Sequence, residues 1–204
     1  MAATAAKPNS ANIYLGMPDQ ATTGAISYAP EGTKMPEYPS EALAAAFTQT
    51  GYIDEDGVTI SGLKAAGDAL RDWGGVKVRQ LPGDADPTLS FGMLETSEES
   101  LALIVGAANA SSVVANAQHG KLVKAKFTDD MPEIHAMVVR IKDGERRALI
   151  NVPRCQVSEI EDLTITRNGA IKWKPTFAIL GDADAGYMDV IFDDGNAVVA
   201  GGGN

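Results

Sequence analysis

The sequence predicts a mainly-β fold, an antiparallel sandwich or barrel of about eight strands with one packed α-helix. Apolar and polar residues alternate with period two over much of the chain after Val76, as in strands with one buried face. Asp143-Gly144 and Asn168-Gly169 separate consecutive alternating segments. Because Asp-Gly and Asn-Gly are strong hairpin signals, the strands around them are expected to be antiparallel.

The first two strands are predicted at Val76–Arg79 and Thr88–Met93, joined as a hairpin by the turn residues of Pro82–Pro87. Six further segments have strand patterns: Lys121–Phe127, Ile134–Lys142, Arg146–Val152, Gln156–Thr166, Ile171–Leu180 and Tyr187–Phe192. Trp173 alternates with apolar neighbours in one of them, so it is predicted to lie in the core.

One main helix interrupts the strands. Thr96 and Glu99 have the spacing of a capping box, and an apolar stripe follows, made of Leu101, Ile104 and Val105. A helix at about 97–107, packed on the sheet, is therefore expected. Two shorter helices have weaker signals: Glu41–Gln49, after a Ser40 cap, and Lys64–Asp72.

The chain is predicted to have three parts. Residues 1–39 form an extended arm rich in Pro and Ala, which cannot build a core alone and would be disordered in an isolated monomer. Residues 40–194 form the β domain, and residues 195–204 form a Gly-rich tail. Within the domain, 51–72 is predicted to be a long loop, and loops of that length usually have a function.

Composition excludes several classes of protein. Seventeen basic and 27 acidic residues give a net charge of −10, which argues against a protein that grips nucleic-acid phosphates. The single cysteine, Cys155, cannot form an internal disulfide. No signal peptide or membrane-spanning stretch is recognisable, so a soluble protein without a membrane partner is expected.

No catalytic, cofactor or metal site is predicted, so the chain is not expected to be an enzyme. The two histidines, His119 and His135, have no second ligand at metal-binding spacing. Cys155 is predicted to be a small buried hydrophobe, although Arg154 beside it could lower its pKa. The 182–186 stretch begins like a calcium loop, but its glycine comes one residue early, and a polar turn is favoured. The Asp54-Glu55-Asp56-Gly57 cluster is likewise interpreted as a solvated or salt-bridging turn.

A series of local motifs carries a family resemblance. Gly51–Gly62 is followed by Asp72-Trp73-Gly74-Gly75-Val76-Lys77-Val78-Arg79-Gln80, then by Thr88-Leu89-Ser90-Phe91, Leu149-Ile150-Asn151-Val152-Pro153 and Pro175-Thr176-Phe177. In this order and spacing the chain resembles, over roughly residues 40 to 194, the major tail proteins of long-tailed, siphovirus-like bacteriophages of actinobacteria. These proteins are the subunits of the phage tail tube.

The resemblance implies a structural virion protein with a tail-tube β-sandwich. Its subunits would join into homo-hexameric rings that stack into a tube and conduct double-stranded DNA into the host without binding it specifically. The implied partners are tape-measure, tail-terminator and baseplate proteins. The implied location is the virion tail, after assembly in the host bacterial cytoplasm. The net charge favours an acidic lumen.

The resemblance also implies that a long loop reaches the neighbouring ring, and Gly51–Asp72 is the candidate. The predicted contact residues are Tyr52, Ile53, Asp54, Asp56, Val58, Ile60 and Trp73. As an alternative, the apolar residues among them cover the bottom of their own sandwich. Trp73 could either pin the loop or face a partner.

Two other functions stay open on sequence alone. Another β-rich virion component, a tail terminator or a head decoration protein, would share this composition. A monomeric carbohydrate-binding sandwich would need aromatic residues clustered on exposed loops, whereas aromatics make up only 6% of this chain.

Overall fold

A computed structural model describes residues 8–19, 25–182 and 186–196. In these ranges the chain forms one α-helix, α1 (Glu98–Val105), and short 3-10 turns at Ser10–Asn12 and Ala107–Asn109. It also forms twelve strands: β1 (Ile26–Pro30), β2 (Thr48–Gln49), β3 (Ile53–Ser61), β4 (Ala66–Arg71), β5 (Lys77–Pro82), β6 (Thr88–Met93), β7 (Ala110–Val113), β8 (Leu122–Ala125), β9 (His135–Asp143), β10 (Arg146–Ile160), β11 (Pro175–Ile179) and β12 (Asp189–Asp193). The predicted mainly-β class is confirmed. Within the described ranges no helix is long and apolar enough to cross a membrane.

Eight strands form one antiparallel sheet in the order β2-β1-β9-β10-β11-β6-β3, and β12 also pairs with β10. The centre of this sheet is β10, which has 15 residues. Its first half pairs with β12, and its second half pairs with β11. Along its other edge it pairs with β9. Two separate two-stranded sheets, β4-β5 and β7-β8, complete the fold.

A bulge divides β10 between two halves of the sheet, the first pairing with β12 and the second with β11. Its register against β9 shifts between Val152 and Cys155, so one extra residue is inserted next to Pro153. A bulge bends a strand, and it accommodates a proline that cannot donate a ladder hydrogen bond. The sequence predicted two strands ending and restarting around this proline, and the structure joins them into one bent strand.

The two halves of the sheet share one hydrophobic core. On one half, cross-strand register puts Ile26, Val139 and Ile150 in a row; on the other, it aligns Val157, Phe177, Leu89 and Ile60. Both rows belong to the same apolar cluster, in which Phe91 and Phe177 stack with ring centroids 5.5 Å apart. Burying each such side chain contributes about 1.5–3 kcal/mol.

The predicted helix forms as α1, but its cap differs from the prediction. Ser97, one residue after Thr96, is the N-cap, and its Oγ accepts a hydrogen bond from the Ser100 backbone N–H at 3.1 Å. Thr96 has another role, because its Oγ1 accepts a hydrogen bond from Trp173 Nε1 at 3.1 Å. Trp173, predicted to be core, is half-buried at the edge of the core cluster and stacks on Phe127.

The helix predicted at Glu41–Gln49 is wrong. Its last residues form β2, which pairs with β1, and the chain before β2 covers the outer face of the sheet. There the Pro36 carbonyl accepts a hydrogen bond from Asn151 Nδ2 at 2.7 Å, and the Glu41 carbonyl accepts one from Arg140 Nη2. These contacts give acceptors to the Asn151 Nδ2 and Arg140 Nη2 donors of two buried residues, which outweighs a modest helix propensity.

The extended arm predicted at 1–39 contains part of the folded sheet. β1 pairs with β9, and Ile26 is fully buried in the core. Upstream, the backbone of Met17–Asp19 also bonds to β9, since the Lys142 N–H donates to the Met17 carbonyl at 2.8 Å. The sheet therefore begins well before residue 40. Residues 1–7, 20–24 and 197–204 lie outside the described part of the chain, as does most of the Gly-rich tail predicted at 195–204.

Three predictions between residues 51 and 93 are also wrong. The predicted loop at 51–72 is mostly strand, β3 and β4, and β4 replaces the helix predicted at Lys64–Asp72. The predicted pairing of Val76–Arg79 with Thr88–Met93 does not form. Instead β5 pairs with β4, whereas β6 lies between β3 and β11.

The two predicted Gly turns differ in outcome. Asp143-Gly144 connects β9 to β10 in a tight hairpin, as predicted, with Gly144 at φ +64° where an L-residue would be strained. Asn168-Gly169 lies within a longer connection between β10 and β11, which do pair in antiparallel fashion.

His135 makes stability depend on pH. Burial lowers its pKa, and the nearby Glu133 carboxylate and Ala29 backbone offset this only in part. A histidine whose folded pKa lies below the unfolded value of about 6.5 stabilises the fold above that value. The free energy of unfolding is therefore expected to fall as pH drops from about 6.5 through the folded pKa. Urea unfolding at a series of pH values measures this.

His135→Phe removes the titrating group but keeps an aromatic ring beside Tyr28, whose ring centroid is 5.3 Å away. This variant should lose less stability than the parent between pH 7 and pH 5. Equal pH profiles for His135→Phe and the parent would contradict the assignment.

Candidate assembly interface

The β4-β5 hairpin is a two-stranded sheet separate from the main sheet, and every residue of β5 is exposed. Between residues 63 and 82 the chain exposes six large hydrophobic side chains: Leu63, Leu70, Trp73, Val76, Val78 and Leu81. A two-stranded hairpin is marginally stable alone in water, and a large exposed apolar patch typically marks an interaction surface.

Close backbone approach fixes the base of the hairpin. The Gly83 N–H donates to the Ala65 carbonyl at 3.0 Å. A Cβ on Gly67 would lie 2.5 Å from the Pro82 carbonyl oxygen, and one on Gly62 would lie 2.0 Å from that of Asp86. Only glycine fits at these two positions, so the hairpin leaves the end of β3 along a defined path.

The hairpin tip, Asp72-Trp73-Gly74-Gly75, is held by its own hydrogen bonds. Asp72 Oδ1 accepts from the Val76 N–H at 2.7 Å, and Arg71 Nη1 donates to the Gly75 carbonyl at 3.0 Å. Trp73 has a relative exposure of 106%. It therefore pins nothing among the described residues of its own chain, and its contact with a partner stays a prediction.

The predicted contact residues fall into two groups. Three apolar ones, Ile53, Val58 and Ile60, are half-buried against the chain's own core. Tyr52 is 64% exposed, and its backbone N–H donates to Glu95 Oε1 at 2.8 Å. In the single chain these three apolar residues therefore cover their own sandwich, as the alternative prediction stated. A contact between them and another subunit stays a prediction.

The two predicted acidic contact residues have different surroundings. The Asp54 side chain is 1% exposed, with Oδ2 3.5 Å from Lys172 Nζ and 4.0 Å from Lys174 Nζ. Asp56 is largely exposed, and its Oδ2 lies 3.3 Å from Lys174 Nζ, which raises the pKa of that lysine. These ion pairs link β3 to the segment that leads into β11.

Five exposed apolar residues of the hairpin were absent from the predicted set: Leu63, Leu70, Val76, Val78 and Leu81. The alternation of Val76 and Val78 was visible in the sequence, and it was assigned to a buried face. The charge of this segment indicated an exposed surface instead. From Leu63 to Gly83 it has four basic and two acidic side chains, in a chain of net charge −10.

The residues that could have carried chemistry do not form a site in the described ranges. Cys155 is fully buried as predicted, and burial raises the pKa of its thiol to about 12, overriding any effect of Arg154. No group of three or more potential metal ligands occurs among the described residues. The calcium-like stretch at 182–186 lies partly outside them, since residues 183–185 are not described.

Comparison with known proteins decides between the remaining functions. The model of a family described as phage tail tube protein matches residues 19–201. The chain belongs to this phage tail tube protein family. A comparison with curated proteins gives no match. The family match starts before β1, in agreement with the folded part of the chain and earlier than the predicted start at residue 40.

Membership of the tail tube family makes the protein a structural component of the phage tail, and it confirms the resemblance to major tail proteins. The tail-terminator and head-decoration alternatives are set aside, because the match is to tube subunits. A structural family also favours the prediction that the chain is not an enzyme.

Replacing Gly92 tests the packing around Asp54. A Cβ on Gly92 would lie 2.3 Å from Asp54 Oδ2, so Gly92→Ala should destabilise the fold by about 1–3 kcal/mol through overpacking. In an Asp54→Ala background the carboxylate is gone, and the same glycine substitution should cost much less. Urea unfolding of the four proteins gives the coupling free energy.

Gly120→Ala is the matched control, since nothing lies within 4 Å of its added Cβ. It should leave the free energy of unfolding nearly unchanged. An equal cost of Gly92→Ala in both backgrounds would show that Asp54 does not occupy the space beside Gly92.

Proposed function

We propose that the chain polymerises into stacked rings that form the phage tail tube, and that the β4-β5 hairpin bridges one ring to the next. The observation that carries this proposal is that a member of the tail tube family has an exposed apolar hairpin, which pairs with no described strand of the main sheet. Its exposed side chains include a tryptophan and aliphatic residues, and a tryptophan buried at the centre of an interface commonly supplies much of the binding energy.

The free edges of the main sheet support ring formation. β2 and β3 end the strand order, and β3 has nine residues. Exposed strand edges carry unpaired backbone groups that can pair with another chain, and ring closure removes such edges. Homo-hexameric rings are the stoichiometry that the resemblance implies. Tyr52 and Asp56, which are exposed near the start of β3, remain proposed contact residues.

The net charge of −10 suits a tube through which DNA slides. A lumen with an acidic surface repels phosphate and so prevents tight binding. We therefore propose an acidic lumen and no specific DNA contact. Tape-measure, tail-terminator and baseplate proteins are the proposed partners, the host cytoplasm is the proposed place of assembly, and a siphovirus of actinobacteria is the proposed source.

Shortening the hairpin tests its role in assembly. Replacing Ala66–Pro82 with a Gly-Gly turn is compatible with the base, because Ala65 and Gly83 are already hydrogen-bonded at 3.0 Å. The main-sheet core lies outside the deleted segment, so the variant should keep the far-ultraviolet circular dichroism of a β protein. Negative-stain electron microscopy should show long hollow tubes for the parent and single rings or monomers for the variant.

Val114→Ser is the control for loss of an exposed apolar residue, since Val114 is 83% exposed and lies outside the hairpin. It should assemble like the parent. Tubes of normal length from the folded, hairpin-shortened protein would overturn the proposed bridging role.

A further inference from the structure

A cleft of about 370 Å³ opens at one end of the sandwich core. Its apolar lining comes from both halves of the sheet: Ile53, Val58, Ile60, Val139 and Ile150. The first three belong to β3, and the others belong to β9 and β10. Among the described residues, none fills the core where β3 faces the opposite half of the sheet.

Filling this cleft is favourable. Each of the three β3 residues is only half-buried, so apolar surface remains in contact with solvent. Removing such surface from water contributes about 25 cal/mol per Å². A pocket of this size with a mainly apolar lining and a few polar groups at its mouth can accept a large side chain.

The hairpin tip presents a side chain of matching character. Trp73 is fully exposed, whereas aromatic side chains bury about 150–250 Å² when they are packed. It stands between Asp72 and two glycines, so small neighbours on its C-terminal side leave the ring accessible to a concave surface.

We propose that the cleft of one subunit receives Trp73 from the hairpin tip of a neighbouring subunit. This inference rests on the proposed function, because it names the surface on which the bridging hairpin docks. The contact is heterologous, since a tip binds a cleft and every subunit has one of each. Contacts of this kind either close into rings or continue as a filament, as assembly of a tube requires.

Charge complementarity favours a second copy of this chain as the occupant. The hairpin from Leu63 to Gly83 has a net charge of +2 within a chain of net charge −10. Its basic residues near the tip are Arg71, Lys77 and Arg79. At the cleft, Glu55 supplies an exposed carboxylate, whereas Asp54 is buried and already paired with Lys172 and Lys174 of its own chain. The one basic lining residue, Arg140, is 6% exposed and donates to the Glu41 carbonyl.

Cysteine cross-linking in assembled tubes tests where the tip docks. Gly74→Cys keeps Trp73 in place, and a Cβ on Gly74 meets Asp72 Oδ1 only at 3.4 Å. Paired with Glu55→Cys at the mouth of the cleft, it should give a ladder of disulfide-linked oligomers on mild oxidation. Paired with Val114→Cys, which is also exposed but distant in sequence from the cleft, it should give none. The native Cys155 is fully buried and does not compete.

Trp73→Ala and Trp73→Phe measure what the ring contributes. The alanine variant should raise the critical concentration for tube formation by about tenfold or more, as for a typical interface anchor, and the phenylalanine variant should recover part of this loss. Tubes from the alanine variant at the parental critical concentration would overturn the inference.

The outcomes separate this inference from the proposed function. If the unmodified protein forms no tubes, the proposed function itself fails. If tubes form and the Gly74→Cys/Glu55→Cys pair gives no ladder, the tip docks elsewhere and only the cleft assignment is overturned. A ladder from the Gly74→Cys/Val114→Cys pair alone would overturn it in the same way.

Discussion

The bend of β10 is the constraint on which the rest of the structure depends. One strand of 15 residues contributes to both halves of the main sheet, and the bulge beside Pro153 redirects it between them. Because of this bend, Val152 and Val157 lie in a single core with Phe177. A straight β10 would leave two half-sheets, each with an apolar face that must be buried against another element.

The same geometry leaves two features exposed in the single chain. In the described part of the chain, the core ends in a cleft beside β3, and the chain leaves β3 directly into a hairpin that pairs with no strand of the main sheet. An isolated subunit thus has an apolar concavity and an apolar projection. Both features reduce the solubility of a monomer, and both are expected of a subunit whose stable state is an assembly.

The sequence predicted the strands from Leu122 onward well, because alternation and the Asp143-Gly144 turn are local signals. It failed at Ile26–Pro30, where a strand in a proline-rich segment is stabilised by pairing with β9, a contact distant in sequence. It also failed at β4 and β5, because Val76 and Val78 have the same alternation whether their face meets the chain's own core or another subunit. Of the predicted contact residues, Trp73 is the most exposed in the structure.

The central claim is that the hairpin is an assembly surface. The most direct test compares amide hydrogen exchange in assembled tubes with exchange in dilute, unassembled protein. Peptides from Leu63 to Gly83 cover exposed strands that should exchange rapidly in the free chain. The account predicts that exchange in this segment slows by about tenfold or more in tubes, as opening then requires breaking a subunit contact. Unchanged exchange of the hairpin amides in intact tubes would contradict it.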